Sequence, residues 1–283
     1  MTSLLRLLVP ALVLAPSLRA SATDFSDTSL GFRYADSIHD PAATGPDGRA
    51  ADIGRRYWNL THVDASAYGG NFLSVDWQMS NLAAPNRRGD EGMHEVYLIY
   101  RRTIDFGGWT GRTYGFGPVQ STTLVAGLDF ANSNAAYEVR KRMLVIGPQF
   151  AFDVPRGFLK LALLAEKEYD HNGIVGRSEN FDLTWAAESS WALPFHLGAL
   201  PAQFEGYLNF YGPKGRDDFG HGTRTETLFH PRLMLDLGAL AGHANRIWAG
   251  VGYEYWHNKF GVDHAITPGA IQNAALLELA VHL

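Results

Sequence analysis

Hydrophobic and polar residues alternate with a period of two along most of the chain after residue 24. In one segment the apolar parity holds Leu73, Val75, Trp77 and Met79, and the polar parity holds Ser74, Asp76 and Gln78. In another, the apolar set is Phe181, Leu183, Trp185, Ala187 and Trp191, and the polar set is Asp182, Thr184, Glu188 and Ser190. Period two is typical of strands with one apolar and one polar face. The chain is therefore predicted to be all-β.

The alternating segments are longer than ordinary strands. Strands of globular sheets have about 5–6 residues, whereas a tilted strand crossing an outer membrane needs about 9–11. Twelve segments are predicted, at 25–36, 56–65, 70–80, 93–103, 119–131, 139–153, 157–169, 179–193, 201–211, 225–238, 245–258 and 271–283. Bacterial barrels have an even strand number. We predict a closed antiparallel transmembrane β-barrel of about 12 strands. A soluble β-sandwich is disfavoured because its strands would be shorter.

The connections between the segments alternate in length. Short ones lie at 66–69, 153–157, 194–200 and 238–244, and longer polar ones at 35–54, 81–92, 170–178, 212–223 and 259–270. Outer-membrane barrels show the same contrast between short periplasmic turns and long outer loops. The glycine-rich segment 104–119 is long although it falls on the short side. It is expected to form a small plug or a turn of its own.

Aromatic residues often stand near segment ends, as do Tyr57, Trp58, Trp185, Trp191 and Tyr253. An aromatic girdle at the two membrane interfaces would explain this placement. The alternative is that aromatic residues are simply good strand formers. At the end of the printed sequence, Leu277, Leu279, Val281 and Leu283 alternate with Glu278, Ala280 and His282. This segment is expected to be the strand that closes the barrel.

The first residues predict export. One charge at Arg6 precedes the apolar stretch Leu7–Leu18, and Ala20-Ser21-Ala22 follows it. This order is typical of a cleaved secretory signal rather than a membrane span. We expect a signal peptide over residues 1–22 and one barrel domain over residues 23–283, located in the outer membrane.

Composition narrows the partners. The formal charge is −5, and removal of Arg6 and Arg19 with the signal peptide would leave −7. An acidic chain without a basic block has no electrostatic attraction to nucleic acid. The chain has no cysteine, which excludes thiol nucleophiles and Cys-ligated metal sites. Past residue 18 no apolar run approaches the roughly 18–20 residues of a transmembrane helix, so a membrane span would require strands.

Eight segments in order along the chain carry a family resemblance. They are FSDTSLGFRY (25–34), NLTHVD (59–64), YGGNFLSVD (68–76), EVYLIYR (95–101), KRMLVIGP (141–148), FDVP (152–155), FEGYLNF (204–210) and GYEYWHNKFG (252–261). Together they resemble the Tsx-like nucleoside-specific channel family of Gram-negative outer membranes. The resemblance implies a monomeric barrel with a narrow pore of aromatic and ionisable residues, in which nucleosides bind weakly and diffuse through. The binding residues of the family are not carried over to this chain.

The polar parity of each strand is expected to line the lumen. The predicted pore-lining and substrate-binding residues are Phe72, Asp76, Glu95, Tyr97, Arg101, Glu205, Tyr207, Asn209, Tyr211, Glu254 and Trp256. A nucleobase stacks on an aromatic ring with about 1–3 kcal/mol, and ribose hydroxyls bond carboxylates and amides. Acidic walls disfavour phosphate, so a neutral nucleoside fits better than a nucleotide.

A structural reading of the same residues stays open. Because buried charges are normally paired, inward carboxylates are also expected to pair with basic residues and stiffen the lumen. The basic residues are Arg33, Arg101, Lys160 and Arg232. Inward tyrosines would then merely fill a narrow barrel.

Metal and enzyme functions find little support in the sequence. His221, His230, His243 and His257 lack tight ligand spacing and are expected to be loop histidines, so neither metal nor cofactor is expected. A membrane lipid hydrolase would need a serine with a nearby histidine on the lipid-facing side. Ser189 and Ser190 have no such histidine, and no Gly-x-Ser-x-Gly elbow occurs. The alternatives to a nucleoside channel are a non-specific porin and a barrel of enzymatic or purely structural role.

Overall fold

The alternating segments form one continuous antiparallel sheet. The computed structural model describes residues 24–135 and 140–283, and the predicted signal peptide lies outside them. The strands are β1 Phe25–Ile38, β2 Ile53–Ser66, β3 Gly69–Ser80, β4 His94–Ile104, β5 Val119–Ser133, β6 Arg140–Phe152, β7 Phe158–Asn172, β8 Arg177–Asn180, β9 Thr184–Leu197, β10 Leu200–Tyr211, β11 Glu226–Asp236, β12 Ile247–His257 and β13 Ile271–His282. Two single-turn helices, α1 Gly107–Thr110 and α2 Leu237–Leu240, interrupt the connections.

The sheet closes on itself as a barrel of twelve long strands. Neighbouring long strands pair in chain order, β6 pairs with β7, β7 pairs with β9, and β1 pairs with β13. The four-residue β8 pairs with the end of β7 and lies outside the closed ring. The predicted fold and strand number are confirmed. The predicted strand at 179–193 is wrong in one detail, because it contains the end of β8, a break at residues 181–183 and the beginning of β9.

Side-chain contacts secure the seam between β1 and β13 at both ends. Phe32 pairs with Leu279 in the middle of the seam. At one end, Nδ1 of His282 lies 2.8 Å from Oδ2 of Asp27. At the other end, Nδ1 of His39 donates to the carbonyl oxygen of Ile271 over 2.9 Å. The closing strand predicted from the last segment is confirmed by this pairing.

The apolar parity points outward and is exposed. Trp185, Val251 and Leu277 have half or more of their surface exposed, at 50%, 54% and 63%. Phe181 departs from the predicted outward set: only 6% of its surface is exposed, because it lies in the break between β8 and β9 under the side chain of Lys214. Within the described residues, no helix is both long and apolar enough to cross a membrane.

The two ends of the barrel differ as expected from the connections. We call the end with the β2–β3, β4–β5, β6–β7, β9–β10 and β11–β12 connections the turn end, and the opposite end the loop end. The segment between β4 and β5 forms a turn at the turn end and no plug: α1 begins at Gly107, and Trp109 stacks on Tyr68 of the β2–β3 turn with ring centroids 5.7 Å apart. None of the residues of α1 is buried.

Apolar residues close part of the loop end. Residues from the β1–β2 and β3–β4 loops and from the end of the segment after β5 pack with residues of β1, β2 and β13. We call this group the loop-end cap; its buried members are Ala35, Ile38, Ala43, Ile53, Ala84, Met93, Ala135, Ala274 and Leu276. The cap lies beside β1, β2 and β13, and a cavity lies between the end of β8, residues 181–182 and the β10–β11 loop.

Candidate functional site: the barrel lumen

The structure places all eleven predicted pore residues on the inner face of the barrel. Strand register shows this directly, because Phe72 pairs with Arg101 while Asp76 pairs with Tyr97 and Asn59. On β10 the inward set runs from Gln203 to Tyr211 in steps of two. Three more lie at the loop-end side of the lumen: Glu95, Glu254 and Trp256. Whether these residues bind a solute remains a prediction.

Arg101 reaches across the lumen between strands that do not pair. Its guanidinium contacts Asp129 on the adjacent β5 over 2.5 Å and Glu188 on β9 over 2.7 Å and 3.0 Å. Three strands separate β4 from β9 around the barrel wall. We call this arrangement the cross-lumen bridge. Since the contact with Glu188 is bidentate, it fixes the guanidinium plane and holds the ion pair across the lumen.

A glycine makes room for the cross-lumen bridge. Gly127 pairs with Arg101 across β4 and β5. A β-carbon at this position would lie 2.5 Å from Cδ of Arg101 and 2.4 Å from the carbonyl oxygen of Tyr100. Any larger residue would therefore push the arginine side chain out of its present course.

A second group of charges centres on His230. Its two ring nitrogens lie 3.1 Å from Oε2 of Glu254 and 2.8 Å from Oε1 of Glu278. Arg232 contacts Glu278 over 2.9 Å and Glu205 over 2.6 Å. A carboxylate oxygen within hydrogen-bond range of each ring nitrogen favours the imidazolium, in which both nitrogens donate. We call these five residues the His230 network.

Aromatic rings and an arginine lie next to the His230 network. Tyr207 stacks on the ring of His230 at 5.2 Å between centroids. Arg33 bonds Asp76 and lies 4.7 Å from the ring centre of Tyr57. The girdle interpretation of the sequence predicted that Tyr57 points outward. Tyr57 instead faces inward and is 6% exposed, because it shares the parity of Arg55 and Asn59. Trp58, Trp185 and Tyr253 do point outward.

A third group of charges lies at the loop end between β6, β7, β11 and the β10–β11 loop. Its carboxyl groups are Glu166, Glu168, Asp170 and Glu226, and its ammonium groups are Lys141 and Lys214. Nζ of Lys141 lies 2.9 Å from Glu168, and Lys214 bonds the other oxygen of the same carboxylate. Glu226 accepts from Nε1 of Trp256 over 2.5 Å. We call this group the mouth cluster.

Lys259 ties the β12–β13 loop into the mouth of the barrel. It is 1% exposed, and its Nζ donates to Oε1 of Gln272 over 2.8 Å and to the carbonyl oxygen of His39 over 2.9 Å. Both neighbours in the loop, Asn258 and Phe260, have left-handed backbone conformations, with φ of 51° and 63°. Burial, together with the nearby guanidinium of Arg55, lowers the pKa of Lys259 to about 8.

Two expectations about basic residues and histidines need correction. Lys160 faces the lumen as predicted, but among the described residues it has no carboxylate partner and lies 5.2 Å from the ring of Phe158. His230 is not a loop histidine, because it stands within β11 with no exposed surface. His257 ends β12, while His221 and His243 do lie in connections. The parity of His230 with Glu226 and Arg232 would have placed it correctly.

A hydroxyl, a histidine and a carboxylate meet on the outward face at the turn end. Oγ1 of Thr28 lies 2.8 Å from Nδ1 of His62. Nε2 of the same ring is 3.6 Å from Oδ2 of Asp64, which is beyond hydrogen-bond range, and Asn71 donates to both oxygens of Asp64. The contacts therefore do not form the nucleophile–base–carboxylate relay of a hydrolase.

Comparisons with known proteins yield no family. No family model and no curated protein sequence matches the chain. The fold is similar to the translocator domain of autotransporter NalP from Neisseria meningitidis, with a TM-score of 0.49 and 10% identity over 91% of this chain and 88% of that chain. It is also similar to KdgM porin, with a TM-score of 0.42 and 9% identity over 89% of this chain and 98% of that chain. The structure of KdgM porin in complex with disordered oligogalacturonate has a TM-score of 0.41 and 9% identity over the same shares of the two chains.

These likenesses concern the barrel architecture. At TM-scores below 0.5 they carry no argument about cargo. The class of protein is defined by the strand pairing itself: a closed twelve-stranded antiparallel β-barrel with an apolar exterior and a charged lumen.

Proposed function

We propose that this protein is an outer-membrane channel for the passive uptake of small polar solutes. The observation that carries the proposal is the contrast between the two faces of the closed sheet. Outward apolar residues such as Trp185 and Leu277 are exposed, which suits hydrocarbon, whereas Glu254, His230 and Arg101 are enclosed in the lumen. Buried ionisable groups are costly and mark the path of a polar cargo in membrane proteins. One chain closes the ring, so the channel is proposed to act as a monomer.

Nucleosides are the first solutes to test. Tyr207, Tyr97 and Tyr211 stand in the lumen beside carboxylates, with the hydroxyl of Tyr97 3.0 Å from Asp129 and that of Tyr211 3.5 Å from Glu188. Such a wall offers ring faces to a base and acceptors to ribose hydroxyls. The ordered segments that resemble Tsx-like channels support the same cargo. A non-specific porin is the alternative, and it would show no preference among uncharged solutes of equal size.

Reconstitution tests the proposal. The refolded barrel is inserted into planar bilayers, and the ion current is measured before and after adenosine or thymidine is added. We expect discrete conductance steps and partial block by nucleosides at concentrations where glucose has no effect. Conductance without nucleoside block would favour the non-specific porin over the nucleoside channel. If the barrel shows no conductance, and no small solute causes liposome swelling, the channel function is refuted.

A further inference from the structure

The mouth cluster has more carboxyl groups than ammonium groups. Its four carboxyl groups face two ammonium groups, and both ammonium groups bind the same carboxylate, Glu168. Asp170 interacts with Glu168 as well. Within the described residues, Glu166 and Glu226 therefore form no ion pair with either lysine. Since uncompensated charge in a buried site is costly, the cluster is suited to accept a positive group.

Glu166 is the most completely buried carboxyl group of the cluster. It stands on β7 with 1% of its surface exposed, on the parity that faces the lumen. Its Oε2 has no hydrogen-bond partner among the described residues. Lys141, Lys214, Glu168 and Glu226 are all within electrostatic range of it. A buried carboxylate oxygen with no donor, aimed into an acidic cluster, indicates an absent donor.

The cluster borders a cavity that opens to the loop end. The cavity measures about 540 Å³, and Lys214, Phe181, Asp182 and Glu179 are among the residues that line it. This volume suits a small ligand. Lys214 links the cavity to the mouth cluster, because it lines the cavity while its Nζ bonds Glu168. The same Nζ lies 4.4 Å from the ring centre of Phe181, so the wall already holds one ammonium between an aromatic face and a carboxylate.

We propose that the mouth cluster is a binding station for an ammonium or guanidinium group of the solute. It rests on the proposed channel function and adds a preference for cationic cargo at the loop-end mouth. A metal ion is the weaker occupant, because no group of three or more potential ligands in the described ranges is placed to hold one. The lumen beyond the mouth cluster also has more acidic than basic strand residues. Its basic strand residues are Arg33, Arg55, Arg101, Lys160 and Arg232.

The matched solutes arginine and citrulline test the station. They have nearly the same shape and differ in the charge of the guanidinium, which citrulline replaces with a neutral ureido group. We expect arginine added at the loop end to block potassium current at about tenfold lower concentration than citrulline. Glu166→Gln, which preserves shape, is expected to abolish this difference. Glu91→Gln, an exposed loop residue, is the control and should leave it unchanged.

Equilibrium binding separates this inference from the channel proposal. Arginine binding to the detergent-solubilised barrel is measured by calorimetry for the parent protein, Glu166→Gln and Glu226→Gln. A loss of arginine binding in both variants supports the station even if no current is recorded. Equal block by arginine and citrulline, with normal conductance, overturns the station and leaves the channel intact. Unchanged arginine affinity in both variants also overturns it.

Discussion

Arg101 on β4 and Glu188 on β9 meet inside the lumen at 2.7 Å, although three strands separate them along the wall. A contact between side chains of non-neighbouring strands occupies the cross-section that a solute must use. On the proposed channel function, we expect the cross-lumen bridge to act as a constriction that opens when its two partners separate or exchange bonds with the solute.

Shortening the arginine tests the constriction. Arg101→Gln is expected to raise single-channel conductance and cation preference, because it widens the passage and leaves Asp129 and Glu188 without their cation. Loss of one partner of a buried ion pair costs about 3–5 kcal/mol, so heat-modifiable gel mobility must confirm that the barrel is folded. Arg102→Gln, on the opposite parity, is the control. A folded Arg101→Gln barrel with parental conductance would show that the bridge does not limit flow.

Tyr207 is expected to provide a stacking surface for a base. Tyr207→Ala should weaken nucleoside block by an amount equivalent to about 1–3 kcal/mol, measured as the shift in the adenosine concentration that halves the current. Tyr253→Ala serves as the control, because Tyr253 points outward and its hydroxyl bonds Asn273 over 2.8 Å. Equal block of the two variants would remove Tyr207 from the binding surface.

The outward face of the barrel is expected not to tolerate a charged side chain. Leu279 pairs with Phe32 in the middle of the β1–β13 seam and is 41% exposed. Leu279→Arg would place a guanidinium against hydrocarbon at a cost of about 2–4 kcal/mol and should lower the yield of heat-modifiable barrel in vesicles. Leu279→Ala shortens the same side chain without adding charge and should assemble. Normal assembly of the arginine variant would contradict the assignment of this face to lipid.

His230 is expected to stabilise the folded barrel. His230→Leu removes the ring that both Glu254 and Glu278 contact, and the loss of this partner from two buried carboxylates should cost about 3–5 kcal/mol in the free energy of unfolding by urea. His221→Leu, in an exposed loop, is the comparison and should unfold like the parent. If the two variants unfold at the same urea concentration, the His230 network contributes no net stability.

The docking of the β12–β13 loop in the mouth of the barrel is expected to depend on pH through Lys259. Because its pKa is lowered to about 8 in the docked loop, an undocked loop with a normal lysine binds more protons between pH 8 and about 10.4. Docking therefore strengthens as pH rises through this range and is weaker at neutral pH. We expect fewer opening events at pH 9.5 than at pH 7 in bilayer recordings. Lys259→Met should flatten this dependence, and a parental pH dependence in that variant would assign it to other groups.

The sequence predicts the barrel well because the period-two pattern depends only on local chemistry. Parity correctly oriented Glu205, Tyr207 and Trp256, which alternate with apolar residues on the same strand. It failed for Phe181, where a break between β8 and β9 lets the ring turn inward. The pattern also has no information about which inward charges meet. The contact of Arg101 with Glu188 spans 87 positions of sequence, and it depends on strand register and on the space that Gly127 leaves.

The two ends of the β1–β13 seam are fastened by His282 to Asp27 and by His39 to Ile271. A sheet held in this way at both rims resists sideways parting of its first and last strands. A molecule inside the barrel thus has no lateral exit between these two strands, and on the proposed channel function its path runs from rim to rim along the axis.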